Sequence, residues 1–303
     1  MAHREHSKYA VFFSYTEFIS SERIYKKIFE YITYAKVQIF QEGDDNFMEE
    51  WKIALEKFLK DWRNRNDVVG ALVCGSYITG NPTKRSDIDV HIILSDDVEW
   101  RERGNKLING FLIEYFANPP KQIRKYFQQD FQNKRTMSMV QLMTGKILFD
   151  NTGILNELKI EAEHWLNNEY DELNKTIVEI KKYSLWDSLD NLKDCFEQKR
   201  VDFHFVYFNS LANLFSEYCQ FLRLESIPYY QVHSYLIDPA FIKKYLKNVF
   251  PDSIFKEMFL KALLEVVDKQ KMLEAYEELG NHVMNQMGDF NIDGWKIKSP
   301  IEK

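Results

Sequence analysis

Val68-Val69-Gly70-Ala71-Leu72-Val73-Cys74-Gly75-Ser76 and, ten residues later, Asp87-Ile88-Asp89-Val90-His91-Ile92-Ile93-Leu94 decide the fold of this chain. The first stretch is a short apolar run rich in valine, the pattern of a buried strand, and it ends in a Gly-Ser turn. The second begins with polar and apolar residues in alternation, the period of a strand whose two faces differ. Phe111-Leu112-Ile113-Glu114-Tyr115-Phe116 reads as a third strand, closed by Asn118-Pro119-Pro120. Lys146-Ile147-Leu148-Phe149 reads as a fourth, closed by the turn Asp150-Asn151-Thr152-Gly153.

Outward from these strands the period is helical. Residues 47–63 place Phe47, Trp51, Ala54, Leu55, Phe58, Leu59 and Trp62 on one face at helical spacing. Residues 21–40 predict an earlier helix, with a turn over 42–46 in which Asp45 or Asn46 caps the next. A helix over 121–144 follows the third strand. Beyond residue 153 the pattern predicts helices at 154–182, 185–199, 201–224, 238–248 and 252–279, punctuated by Pro228, Pro239 and Pro251. Only 11 Gly and 7 Pro occur in 303 residues, so breakers are scarce enough for long helices. The expected fold class is α+β. A small mixed-sheet domain with an N-terminal helical extension occupies 1–150, and an all-α helical bundle occupies 151–303.

The Gly-Ser turn and the acidic strand carry the chemistry. A strand that ends in Gly75-Ser76 and turns into a short helix presents free backbone N–H groups, which favour phosphate. Gly75 lets a phosphate chain approach the backbone closely, and Ser76 adds a hydroxyl donor. Asp87 and Asp89 are two apart on a strand, so both side chains point to the same face. Two carboxylates held side by side are costly without a cation. The expected cation is Mg2+, a hard ion that takes oxygen ligands together with substrate phosphates. Glu114 completes the cluster if its strand lies alongside. Three carboxylates suit two ions, one activating an attacking oxygen and one holding a triphosphate and its pyrophosphate leaving group.

This constellation resembles the nucleotidyltransferase superfamily that shares the DNA polymerase β-type palm. Its fingerprint is a hydrophobic residue followed by Gly and then Gly or Ser, a spacer, and Asp-hydrophobic-Asp/Glu-hydrophobic. Cys74-Gly75-Ser76 and Asp87-Ile88-Asp89-Val90 match it. Gly80 and Ser86 sit where the small antibiotic-modifying branch tends to have them, and residues 144–153 resemble the strand and turn that end its catalytic domain. The likeness covers residues 66–153. It implies transfer of a nucleoside monophosphate, AMP by expectation, from a Mg2+-bound nucleoside triphosphate to a hydroxyl of a small molecule, with release of pyrophosphate. An aminoglycoside- or lincosamide-like antibiotic is the acceptor that this branch implies. By the same resemblance Asp87, Asp89 and Glu114 are the catalytic and metal-binding residues. Gly75, Ser76, Ser86, Lys84 and Arg85 would bind the nucleotide, and the helical half would supply the acceptor wall. Two rival readings stand beside this one: an antitoxin-like enzyme that adenylylates a partner protein, and a catalytically silent nucleotide-binding module.

Composition limits the partners further. Residues 1–150 carry 22 basic against 21 acidic side chains and residues 151–303 carry 18 against 25, so no basic face for long nucleic acid is expected. Cys74, Cys195 and Cys219 form no CxxC pair, as in a reducing cytoplasm. No stretch approaches the roughly 20 apolar residues of a membrane span. A soluble, cytoplasmic monomer or homodimer is expected. Among lesser candidates, His91 shares the face of Asp89, Asp96-Asp97 read as a surface turn, and Arg200 and His204 are near in sequence. Glu161 and Glu163 are candidates for a general base, although a solvated acidic face is the simpler reading. The loop Ile227–Tyr235 is dense in aromatic and hydrogen-bonding groups, and either lines a cleft or packs between helices.

Overall fold

The structure, a computed structural model, describes residues 50–80 and 82–298. The helix expected at 21–40, the turn after it and the first residues of the helix at 47–63 lie outside the described residues. Of the described chain, the residues up to Arg63 with Leu107–Phe111 form one compact unit, and Asn64–Lys106 with the residues from Leu112 onward form the other.

In the first unit, helix α1 (50–63) buries Trp51, Ala54, Leu55, Phe58, Leu59 and Trp62, the face that its spacing predicts. Leu107–Phe111 contains Asn109-Gly110, both at positive φ (51° and 83°). That pair of conformations is the one a two-residue hairpin turn requires.

Five strands make a mixed sheet in the order β3-β4-β2-β1-β5. They are β1 (Val68–Cys74), β2 (Ile88–Leu94), β3 (Glu102–Ile108), β4 (Phe111–Asn118) and β5 (Lys146–Asp150). Strand β1 runs antiparallel to both β2 and β5, and β2 runs parallel to β4. Strand β3 escapes the sequence pattern. Its Glu-Arg-Gly-Asn-Lys start is polar and largely exposed at the sheet edge, so it shows neither an apolar run nor alternation. The Asn109-Gly110 turn after it is the signal that marks it.

Short helix α2 (Ser76–Thr79) follows β1, and α3 (Pro120–Gln132), α4 (Met137–Thr144) and α5 (Ile154–Leu166) cover one face of the sheet. There Leu72, Cys74 and Ile93 meet Ile123, Phe127, Met139, Leu142, Leu155 and Leu158. The single helix expected over 121–144 is two helices. Lys134 adopts φ 52°, and the Asp130 carboxylate accepts bonds from the Ser138 N–H (2.9 Å) and hydroxyl (2.6 Å), which starts α4 afresh.

The rest is helical, as expected, but cut differently: α6 (Lys175–Glu197), α7 (Phe203–Phe221), α8 (Val232–Ile237), α9 (Pro239–Lys244), α10 (Ser253–Leu264) and α11 (Lys269–Gln286). Residues 167–174 break the helix expected at 154–182, and the Asn174 side chain caps α6 through the Ile177 N–H at 2.9 Å. Helix α6 then runs unbroken through 183–185, where no Gly or Pro stands. The helix expected over 252–279 divides where Glu265 turns extended and Asp268 caps the N–H groups of Gln270 and Lys271. Leu192, Tyr207, Leu214, Phe215, Tyr218, Phe255, Tyr276 and Leu279 fill the helical core.

One carboxylate ties this core together. Asp252 accepts from the Tyr218 hydroxyl (2.6 Å), pairs with His282 Nε2 (2.7 Å) and caps α10 through the Phe255 N–H (2.9 Å). Burial would raise its carboxyl, but these bonds hold it below the ordinary range. Asp252→Ala strands all three partners, and should destabilise the fold by roughly 2–4 kcal/mol. A denaturant midpoint shifted by less than the error of the measurement would contradict that.

Candidate active site

Register builds the site. Asp89 pairs with Cys74 on β1 and with Glu114 on parallel β4, so the two acidic side chains emerge side by side. Asp87 stands just ahead of β2 on the same face. One ligand atom from each of Asp87, Asp89 and Glu114 lies within 4.8 Å of the others, and all three residues are half-buried. The three carboxylates that the sequence singles out are therefore brought together by the sheet.

Their mutual repulsion is visible. The Asp89 carboxyl is pushed up to about 6 by burial first, then by the charges of Asp87 and Glu114. Burial, with the charges of Asp89 and Asp87, also drives the Cys74 thiol well above its usual range, so this cysteine stays protonated. Glu114 is steadied by Arg103, whose Nε (3.1 Å) and Nη2 (2.6 Å) both reach its Oε1. The same guanidinium lies over the Phe116 ring, 4.9 Å from its centroid. Arg103 sits on β3 and went unnoticed in the sequence because that strand did.

Gly75 joins β1 to α2 at φ 76°, ψ −159°, a backbone region reached almost only by glycine. A Cβ at this position would overlap Asp89 Oδ2. The absence of a side chain thus lets the turn and the acidic strand touch. The Ile78 and Thr79 N–H groups both donate to the Gly75 carbonyl, and the Ser76 and Tyr77 N–H groups precede the first intrahelical bond. The loop before Asp87 is held by Ser86, whose hydroxyl accepts from the Thr83 N–H at 2.8 Å. Lys84 and Arg85 are exposed on that loop.

The lesser candidates separate cleanly. His91 shares the face of Asp89, as its spacing predicts, but that face is covered there: the imidazole is buried and stacks on Phe116 (5.3 Å). Burial lowers it to about 4, so it is neutral at pH 7 and serves as packing beneath the site. Glu161 is held by Arg124 through bonds of 2.7–3.0 Å, Arg200 by Asp202, and Asp96-Asp97 are an exposed turn. The loop at 227–235 is divided. Val232 and Tyr235 are buried in the helical core, while Tyr229 and Tyr230 are exposed. Tyr245, which the sequence did not single out, has a hydroxyl raised by burial and then by the charges of Tyr230 and Asp89, so it stands within the field of the acidic site.

The Asp89 value sets a pH dependence. Without metal, the folded state keeps this proton between the ordinary value near ~4 and about 6, whereas the unfolded state releases it. The contribution therefore favours folding on the acid side and is lost as pH rises through about 6. Melting in the presence of a chelator should show a wild-type slope across this window that Asp89→Asn lacks. Affinity for Mn2+ should fall by up to about tenfold per pH unit below about 6, because the ion must displace the proton. A flat affinity from pH 5 to 7 would contradict the assignment.

No helix among the described residues is long and apolar enough to cross a membrane. No curated protein matches the chain in sequence. Among solved structures the chain is similar to a nucleotidyltransferase-like protein from Exiguobacterium sibiricum, 11% identical, with 78% of this chain and 75% of that one covered at a TM-score of 0.41. Residues 55–141, which hold the Gly-Ser turn and all three carboxylates, match the family described as the nucleotidyltransferase domain, so this part of the chain is a nucleotidyltransferase domain.

Proposed function

We propose that the protein transfers a nucleoside monophosphate, AMP by preference, from a Mg2+-bound triphosphate to a hydroxyl of a small molecule and releases pyrophosphate. The observation that carries this reading is the convergence of Asp87, Asp89 and Glu114 beside a glycine turn without a side chain. The donor set fits hard divalent ions: three half-buried carboxylates, one of them with its carboxyl pushed up to about 6 by burial and by two like charges. When bound, Mg2+ ions supply charge neutralisation at the phosphates and lower the pKa of the attacking hydroxyl.

The chain's own groups do the rest. Asp87 and Asp89 face the triphosphate side, and Glu114, oriented by Arg103, faces the acceptor hydroxyl. Gly75 and Ser76 offer N–H donors and a hydroxyl to the phosphates, with Lys84 and Arg85 on the adjoining loop as further phosphate contacts. Ser86 acts by holding that loop, since its hydroxyl is bonded within it. In this reading residues 1–150 are the catalytic domain with its N-terminal helices and 151–303 the helical acceptor domain. The test is pyrophosphate release from purified protein with Mg2+ and each of four triphosphates, with and without small hydroxyl acceptors. Release that depends on a small acceptor supports the proposal. Label transferred to a partner protein favours the antitoxin-like reading, and no triphosphate binding favours the silent module.

A further inference from the structure

Two cavities adjoin beside α4, the helix that packs on β1. The smaller, about 80 Å³, is bounded by Met137, Val140, Pro228, Gln231 and Tyr245. Met137 and Val140 belong to α4, whose Met139 and Leu142 pack with Leu72 and Cys74 of β1, and Cys74 pairs with Asp89; Tyr245 also feels the charge of Asp89. The larger cavity, about 540 Å³, shares Thr136 and Glu225 with the smaller. Its size falls in the range of roughly 300–1,000 Å³ that encloses a small organic ligand.

The walls have a definite chemistry. Asn167, Asn168 and Asn248 are among the lining residues, and side-chain amides both donate and accept hydrogen bonds as sugar hydroxyls do. Trp165 and Tyr170 add flat apolar faces. Every carboxylate in the walls is already engaged. Glu225 accepts from the Thr136 hydroxyl (2.6 Å) and Lys247 Nζ (2.7 Å), in an ion pair that is largely buried. Glu169 pairs with Arg223. Behind Tyr170, the Lys134 ammonium is buried without a hydrogen-bond partner, which adds positive rather than negative potential. A polycation entering here would find no free carboxylate, and would have to displace Lys247 from its buried pair with Glu225 or Arg223 from its pair with the exposed Glu169.

We propose that these two cavities form the acceptor site, and that the acceptor is an uncharged polyhydroxy compound of the glycoside class. The proposal rests on the nucleotidyltransferase reading above and narrows it, by excluding the polycationic acceptors that the antibiotic-modifying branch would also allow.

Saturation-transfer NMR tests it on the full chain with Mg2+ and a non-hydrolysable ATP analogue present. The probes are lactose and trehalose, set against spermine and glucose 6-phosphate at equal concentration. The neutral sugars should take up saturation, and Asn248→Leu should weaken their binding by about fivefold, the effect of one lost hydrogen bond. Asn168→Leu, a second exposed position, should do the same. Affinity for the ATP analogue should be unchanged in both variants. Stronger binding of spermine or glucose 6-phosphate would overturn the proposal, as would the absence of any sugar signal that the variants alter. Loss of metal-dependent binding of the ATP analogue by the wild-type protein, measured in the same samples, would instead overturn the reading beneath it.

Discussion

Asp89→Asn is expected to lower kcat by about a thousandfold or more while the protein stays folded and melts no earlier than wild type. A divalent ion held at a reacting phosphate contributes several kcal/mol of transition-state stabilisation, and each ~1.4 kcal/mol is tenfold in rate. Asp89 stands at the centre of the trio, paired across the sheet with Glu114 and against Cys74. The amide keeps the shape but cannot supply the charge. Stability should not suffer, because the native carboxylate is already disfavoured by burial and by two like charges. Activity lost together with the fold would mean that Asp89 is structural. Activity retained within about tenfold would place the metal elsewhere.

Gly75→Ala should be the more damaging change to the fold around the site. It combines a backbone region that costs roughly 1–3 kcal/mol for any side chain with a direct overlap between the new Cβ and Asp89 Oδ2. Relief requires either the β1–α2 turn or the Asp89 side chain to move. Both motions displace a group of the proposed site, and a misplacement near 1 Å can cost about a hundredfold in rate. The expected result is a lower denaturant midpoint together with loss of turnover. By contrast, Gly80→Ala meets no atom nearby and carries only the strain of its φ of 96°. It should lower stability by about 1 kcal/mol and leave turnover within a few-fold. Equal losses of activity in the two variants would contradict the special role of Gly75.

Particular residues show why the sequence was readable here and not elsewhere. Strands β1, β2 and β4 are apolar and central, so burial imposes a pattern on them, and the Asp-x-Asp spacing fixes a common face whatever the surroundings. Strand β3 lies at the edge with exposed polar residues, and only its Asn-Gly turn betrays it. Arg103 was hidden with it. His91 shows the limit of alternation, which gives the face of a residue but not whether a helix covers that face. The helix breaks at 133–136 and 265–268 depend on Asp130 and Asp268, whose capping bonds form only once the turns exist. Tyr245 could not be found from its neighbours, because its place near Asp89 comes from tertiary folding more than 150 residues away in sequence.

The central claim is that Asp87, Asp89 and Glu114 hold divalent ions together with a triphosphate. Its most direct test is Mn2+ binding followed by electron paramagnetic resonance, with and without a non-hydrolysable ATP analogue, in wild type and in the Asp87→Asn/Asp89→Asn double variant. The account predicts about two bound ions per wild-type chain in the presence of the analogue, and loss of that binding in a double variant that remains folded. Equal Mn2+ binding by the two proteins would contradict it.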